Sequence, residues 1–117
     1  MRNKEWQMFE DYIVQKLKEI DPSAHTTKAS GGSTIKGDIS NNINLHIECK
    51  QRNIKSVYNQ DWYEKCQTEV PLHSDKIAII ITENKDKKRM VNLSFEDFWE
   101  IYKKSLTYDD PSRLFNI

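Results

Sequence analysis

Ile77-Ala78-Ile79-Ile80-Ile81 is the segment that most narrows what this chain can fold into. Its consecutive apolar residues show no alternation, which suits a strand covered on both faces in the middle of a sheet. Such a strand needs apolar elements above and below it, so the chain is expected to layer helices on a sheet. At 117 residues there is room for one core of this kind, and 1–117 is read as a single domain.

The flanking segments fit that frame. Trp6, Phe9, Ile13, Leu17 and Ile20 recur at helical steps and predict a helix over 3–20, ended by Asp21-Pro22. Residues 24–29 read as a short strand, followed by the glycine-rich loop Ser30-Gly31-Gly32-Ser33-Thr34. That loop is mobile or shaped for a ligand, and no GK[ST] follows to mark it as a phosphate cradle. A strand opens at Gly37-Asp38-Ile39-Ser40, Asn41-Asn42 forms a tight turn, and 43–50 alternates cleanly. Ile43, Leu45, Ile47 and Cys49 point one way; Asn44, His46, Glu48 and Lys50 point the other.

A second helix spans about 58–70 with a thin stripe of Trp62, Cys66 and Val70, and Pro71 ends it. Tyr58, Trp62 and Tyr63 exceed what so thin a stripe needs, leaving core packing, base stacking and subunit contact open. After the isoleucine run come a charged turn at 83–88 and a returning strand at 89–93. Ser94, with Asp97 three residues on, caps a last helix driven by Phe95, Phe98, Trp99, Ile101 and Tyr102, with Lys103 and Lys104 at its favourable C-terminal end. Residues 107–117 carry no assignment. The order is helix, three strands, helix, two strands, helix: an α/β domain with a central mixed β-sheet of about five strands flanked by helices.

Composition removes several classes. Eighteen basic and eighteen acidic residues cancel, so the chain cannot coat nucleic acid through bulk charge, and any binding must come from local patches. Three Trp, five Tyr and four Phe in a neutral chain are unlike a disordered protein. No window approaches the ~18 apolar residues of a membrane span, and the amphipathic N-terminus lacks the block of an export signal, so a cytoplasmic protein without membrane contact is expected. Cys49 and Cys66 lack CxxC spacing and read as small buried hydrophobes. His25, His46 and His73 are too scattered for a metal motif, and only His46 shares the face of Glu48.

The chemistry-bearing residues lie in the first half. Three acidic-x-Lys triplets occur: Glu48/Lys50, Glu83/Lys85 and Asp86/Lys88. The last two fall in the charged turn and read as solvated charge. Glu48 and Lys50 instead project ~6.6 Å apart from a strand anchored by its apolar face. An antiparallel hairpin brings Asp38 beside Glu48. Two carboxylates and an ammonium in one small volume suggest a hard divalent cation, Mg²⁺ or Mn²⁺, with oxygen ligands. On the first helix Glu10 sits at the border of the buried stripe and can look along the sheet; Glu5, at the opposite border, is its competitor.

Glu10, Ser30-Gly31-Gly32, Gly37-Asp38-Ile39 and Ile47-Glu48-Cys49-Lys50 together resemble the PD-(D/E)xK nuclease superfamily, most closely the small archaeal and phage Holliday-junction resolvases. The motifs cover the first half of the chain and the element order covers the second; the proline that precedes the family's aspartate is Gly37 here. The resemblance implies a restriction-endonuclease-like fold and a Mg²⁺- or Mn²⁺-dependent endodeoxyribonuclease acting on branched DNA in recombination. It implies that Asp38, Glu48 and the Cys49 backbone carbonyl bind the metal and that Glu10 binds through water or holds a second ion. Lys50 would orient the attacking water and stabilise phosphate charge, Ser30 would join the site from its loop, and Gln51 would contact phosphate or water.

Paired incision of a junction implies a homodimer, in a bacterial, archaeal or phage-infected cell. Lys28, Lys36, Arg52 and Lys55 are the candidate DNA-binding cations beside the site, with Lys85, Lys87, Lys88 and Arg89 on a separate turn. A structure-independent nicking or restriction-type endonuclease, and a non-catalytic DNA-binding module of the same fold, are the alternatives.

Overall fold

The structure, a computed structural model, describes residues 4–27, 37–72 and 74–107. The elements in chain order are α1 (Lys4–Leu17), β1 (His25–Thr26), β2 (Ile39–Ser40), β3 (Leu45–Gln51), α2 (Gln60–Thr68), β4 (Ile77–Glu83), β5 (Arg89–Asn92) and α3 (Phe95–Thr107). The strands form one mixed sheet in the order β1-β2-β3-β4-β5. Only β3 and β4 are parallel, joined by the crossover through α2; the other pairs are antiparallel.

The isoleucine run behaves as its composition requires. Ala78 to Ile81 are all buried, Ile79 and Ile81 on one face and Ala78 and Ile80 on the other. Phe9, Ile13 and Val14 of α1 close the first face together with Ile39, Ile47 and Cys49. Tyr63 and Cys66 of α2 close the second. Tyr63 also reaches across to the last helix, where its hydroxyl accepts the Ser94 N–H at 2.7 Å.

Three local expectations change. α1 stops at Leu17 because the next turn tightens, with Glu19 N–H on Lys16 O and Ile20 N–H on Leu17 O. That rotation takes Ile20 out of the stripe, leaving it 71% exposed, and Val14 takes the core position. The Asn41-Asn42 turn is longer than two residues: Asn44 adopts φ 64°, and the buried Asn41 side chain accepts N–H bonds from Ile43 and Leu45. Glu83 belongs to β4 rather than to the charged turn, since the register pairs it with Gln51 on one side and Arg89 on the other. It is buried, and Arg89 Nε meets its Oε2 at 3.0 Å.

Asp21 ties the end of α1 to the β2–β3 turn. Its carboxylate accepts the Asn42 N–H at 2.6 Å and the Ser23 hydroxyl, which hold it below the usual carboxylate range. None of the described helices is long and apolar enough to cross a membrane.

The contrast between Ile47 and Ile20 is a direct test of this packing. Ile47 has no exposed surface, so Ile47→Ala should lower the unfolding free energy in urea by about 2–5 kcal/mol. Ile20→Ala should stay within about 0.5 kcal/mol of the parent.

Candidate metal centre

β3 presents two unlike faces. Leu45, Ile47 and Cys49 enter the α1 side of the core, so His46, Glu48 and Lys50 must face α2. β2 runs antiparallel beside β3 with Ile39 opposite Ile47. Asp38, one residue before β2, therefore lies next to the Glu48–Cys49 stretch. Its backbone N–H donates to Ile47 O at 2.7 Å, and its Oδ2 accepts the Cys49 N–H at 2.7 Å.

Gly37 makes this approach possible. It holds φ +86°, and a Cβ there would lie 3.2 Å from both His46 Cε1 and Ile47 O. Proline, fixed near −65°, cannot adopt that backbone angle. The glycine before Asp38 is thus what this chain's own geometry demands.

Around Glu48 the acids crowd. Glu48 hydrogen-bonds to both Asp38 and Glu69. Burial, followed by the negative charges of Asp38 and Glu69, pushes its carboxyl up to about 8. Burial works in the same sense on Glu69, but hydrogen bonds with His46 and Glu48 and the nearby positive charge of Lys65 hold it below its ordinary value. The shared proton therefore sits on Glu48. His46, itself buried, meets Glu69 Oε1 at 3.1 Å through Nε2. One ligand atom each from His46, Glu48 and Glu69 lie within 4.8 Å of one another.

Lys50 follows Glu48 along the same face, with Nζ 5.3 Å from the centre of the Trp62 ring. Arg52 approaches the same ring at 5.2 Å. Glu48, Lys50, Trp62, Lys65 and Glu69 line an open cleft of about 200 Å³. Anionic and cationic groups thus share one wall, the anions grouped around Glu48 and the cations around the indole.

Glu10 is buried on α1, whereas Glu5 is exposed and accepts the Gln51 amide N–H at 3.3 Å. Burial and then the carboxylates of Asp38, Glu10 and Glu48 all raise the Cys49 thiol, which brings the three acids to the neighbourhood of one residue. The Cys49 carbonyl, expected as a metal ligand, accepts the Trp6 indole N–H at 3.4 Å. Burial likewise pushes Cys66 up to about 12, so both cysteines are buried, protonated and free.

Gln51 does not reach this face. It is buried on the α1 side, with its amide on Glu5 and Asn53. Arg52 and Lys55 are exposed. Lys87 and Arg89, expected on a basic turn, instead neutralise the buried Glu83. Ser30, Lys28 and Lys36, with the rest of the glycine-rich loop, and His73 lie outside the described residues.

Glu69 and Lys65 are the members of the cluster that sequence reasoning did not find. Glu69 stands seven residues after Trp62, a spacing that returns a helical residue to the same face, but only the α2 crossover over β3 brings it to Glu48.

Comparison of the chain with protein-family models, curated proteins and solved structures yields no match. Function must therefore be argued from the chain's own residues.

The acid cluster has a pH signature. Between its ordinary value of 4.5 and about 8, Glu48 keeps a proton in the folded state that the unfolded state has lost. Folding stability contributed by that proton is present below pH 4.5 and is lost as pH rises through 8. Urea midpoints of the chelator-treated protein should fall from pH 5 to 8.5, and Glu48→Gln should flatten the decline. An equal slope in the variant would contradict this origin.

Proposed function

We propose that this chain is a divalent-metal-dependent endonuclease that hydrolyses DNA phosphodiesters, with branched DNA as substrate and a homodimer as working unit. One observation carries the reading: Asp38, just before β2, and Glu48 of β3 are in hydrogen-bonding contact, with Lys50 two residues on along the same face. An isolated ion pair on a strand surface would not need a second carboxylate pressed against the first.

The donor set suits a hard cation. Asp38 and Glu48 offer oxygens in a partly buried space where a proton now relieves their repulsion, and a divalent ion would replace that proton. Asp38, Glu48 and the Cys49 carbonyl would hold it, with Glu10 behind them. A bound Mg²⁺ or Mn²⁺ supplies Lewis acidity toward a phosphoryl oxygen and makes water more acidic.

The chain's own groups supply the rest. Lys50, steadied over the Trp62 ring, places an ammonium where a phosphate entering the cleft would carry negative charge. Arg52 and Lys65 add positive charge along the same wall, so a backbone phosphate can lie against cations while its scissile bond faces the acids. The apolar core beneath β3 keeps Glu48 and Lys50 in register. Local cations of this kind let a chain of zero net charge bind DNA.

Cleavage of four-way junction, duplex and single-stranded DNA, with Mg²⁺ and with EDTA, tests the proposal. Junction cleavage should require Mg²⁺. Glu48→Gln should abolish it while metal-free DNA affinity at pH 7 stays equal, because without metal Glu48 already keeps its proton and the variant removes no charge. Lys50→Ala should lower the rate by about 10²–10³-fold while metal binding persists. Equal cutting of duplex would favour the nicking reading. Wild-type cleavage by Glu48→Gln would remove the catalytic assignment.

A further inference from the structure

α3 forms where its cap requires, with the Asp97 N–H on Ser94 Oγ at 3.1 Å. Its apolar residues do not enter the core. Phe95 is 68% exposed, and Phe98, Trp99 and Tyr102 are each close to half exposed. The rings lie against one another along the helix: Phe95 on Trp99 with centres 6.0 Å apart, Phe98 on Tyr102 at 5.9 Å, and Trp99 on Tyr102 at 6.2 Å. At ~100° per residue, positions 95, 98, 99 and 102 fall within one stripe and the charged residues fall outside it. Val91 of β5 and Phe95 line a common groove of about 550 Å³, so the exposed surface continues from α3 onto the edge strand. Met90 beside it is also exposed.

We infer that this face is the homodimer contact, formed by α3 packing antiparallel against α3 of a second copy. The charges on the helix select that occupant and that orientation. Glu96 and Lys103 are one heptad apart and flank the aromatic stripe on the same side. A twofold axis near residues 99 and 100 sets Glu96 of one copy opposite the partner's Lys103, and the reverse pair follows by symmetry. Parallel pairing would leave Glu96 and the partner's Lys103 on opposite flanks of the seam, out of reach of each other, and antiparallel pairing also opposes the two helix dipoles favourably. Lys103 meets Glu100 of its own helix at 2.9 Å; both groups are exposed, and the ammonium can serve both acids.

The surface is large enough for the task. Four partly exposed rings from each copy would cover roughly 600–900 Å², and Met90 and Val91 carry the total toward the ~1,200 Å² at which specific interfaces begin. The inference stands on α3 and β5 alone. A dimer that does not cut DNA would fault the nuclease reading and leave this one intact.

Sedimentation equilibrium of the full chain at micromolar concentrations, with circular dichroism as the control for folding, is the test. The parent should sediment at twice its 13.9 kDa chain mass. Phe98→Glu with Trp99→Glu should give a folded monomer. Glu96→Lys should weaken association about tenfold, since each dimer then holds two repulsive pairs. Adding Lys103→Glu to it should restore affinity to within about threefold. A parent that stays monomeric overturns the proposal. A charge-exchanged variant no tighter than Glu96→Lys also overturns it. Should the double glutamate variant fail to fold, the charge exchange decides, because Glu96 and Lys103 are surface residues.

Discussion

Asp38 and Glu69 pressed against Glu48, which keeps a proton between them, form the interaction on which the rest of this structure turns. Like charges this close are costly in a partly buried space, and the fold bears that cost on both sides. Ile47 and Cys49 fasten β3 to the α1 layer, so Glu48 cannot swing away from Asp38 without disturbing the core. The Cys49 N–H fixes one oxygen of Asp38, and His46 fixes one oxygen of Glu69. Each neighbour of Glu48 is thus held in position by a bond of its own. Under the proposed function, a cluster held this way would exchange its proton for a metal ion without rearranging.

The same strand shows how tightly the centre depends on ordinary packing. β4 runs parallel to β3 over its whole length and holds it in register, and α2, in the crossover between them, delivers Glu69, Lys65 and Trp62 to the acid face. Gly37 lets the chain pass close under His46 and sets Asp38 at the head of β2. The far end of the sheet uses the opposite solution for a buried acid: Glu83 is neutralised by Arg89 and Lys87, which leaves no reason for a cation there.

Much of this was legible in the sequence because it follows from periodicity. The isoleucine run marked β4 as an interior strand covered on both faces, and the alternation of β3 put Glu48 and Lys50 opposite the apolar residues. The order of elements followed from caps and turn residues such as Pro22, Pro71 and Ser94. Three features were not legible, each for a physical reason. Glu69 meets Glu48 only through the tertiary placement of α2. Glu83 stands among charges in sequence, and its burial depends on pairing with Arg89. The stripe of α3 reports that the helix has an apolar side but cannot report that no element among the described residues covers it.

The central claim is that the proton on Glu48 stands in for a divalent cation, and calorimetric titration of the full chain with Mn²⁺ alone tests it most directly. At pH 7, in two buffers of different ionisation enthalpy, saturable binding should release close to one proton per ion bound, because Glu48 still holds its own there. Glu48→Gln should lose both the affinity and the proton release. Binding that releases no proton, or that survives unchanged in Glu48→Gln, would contradict the account.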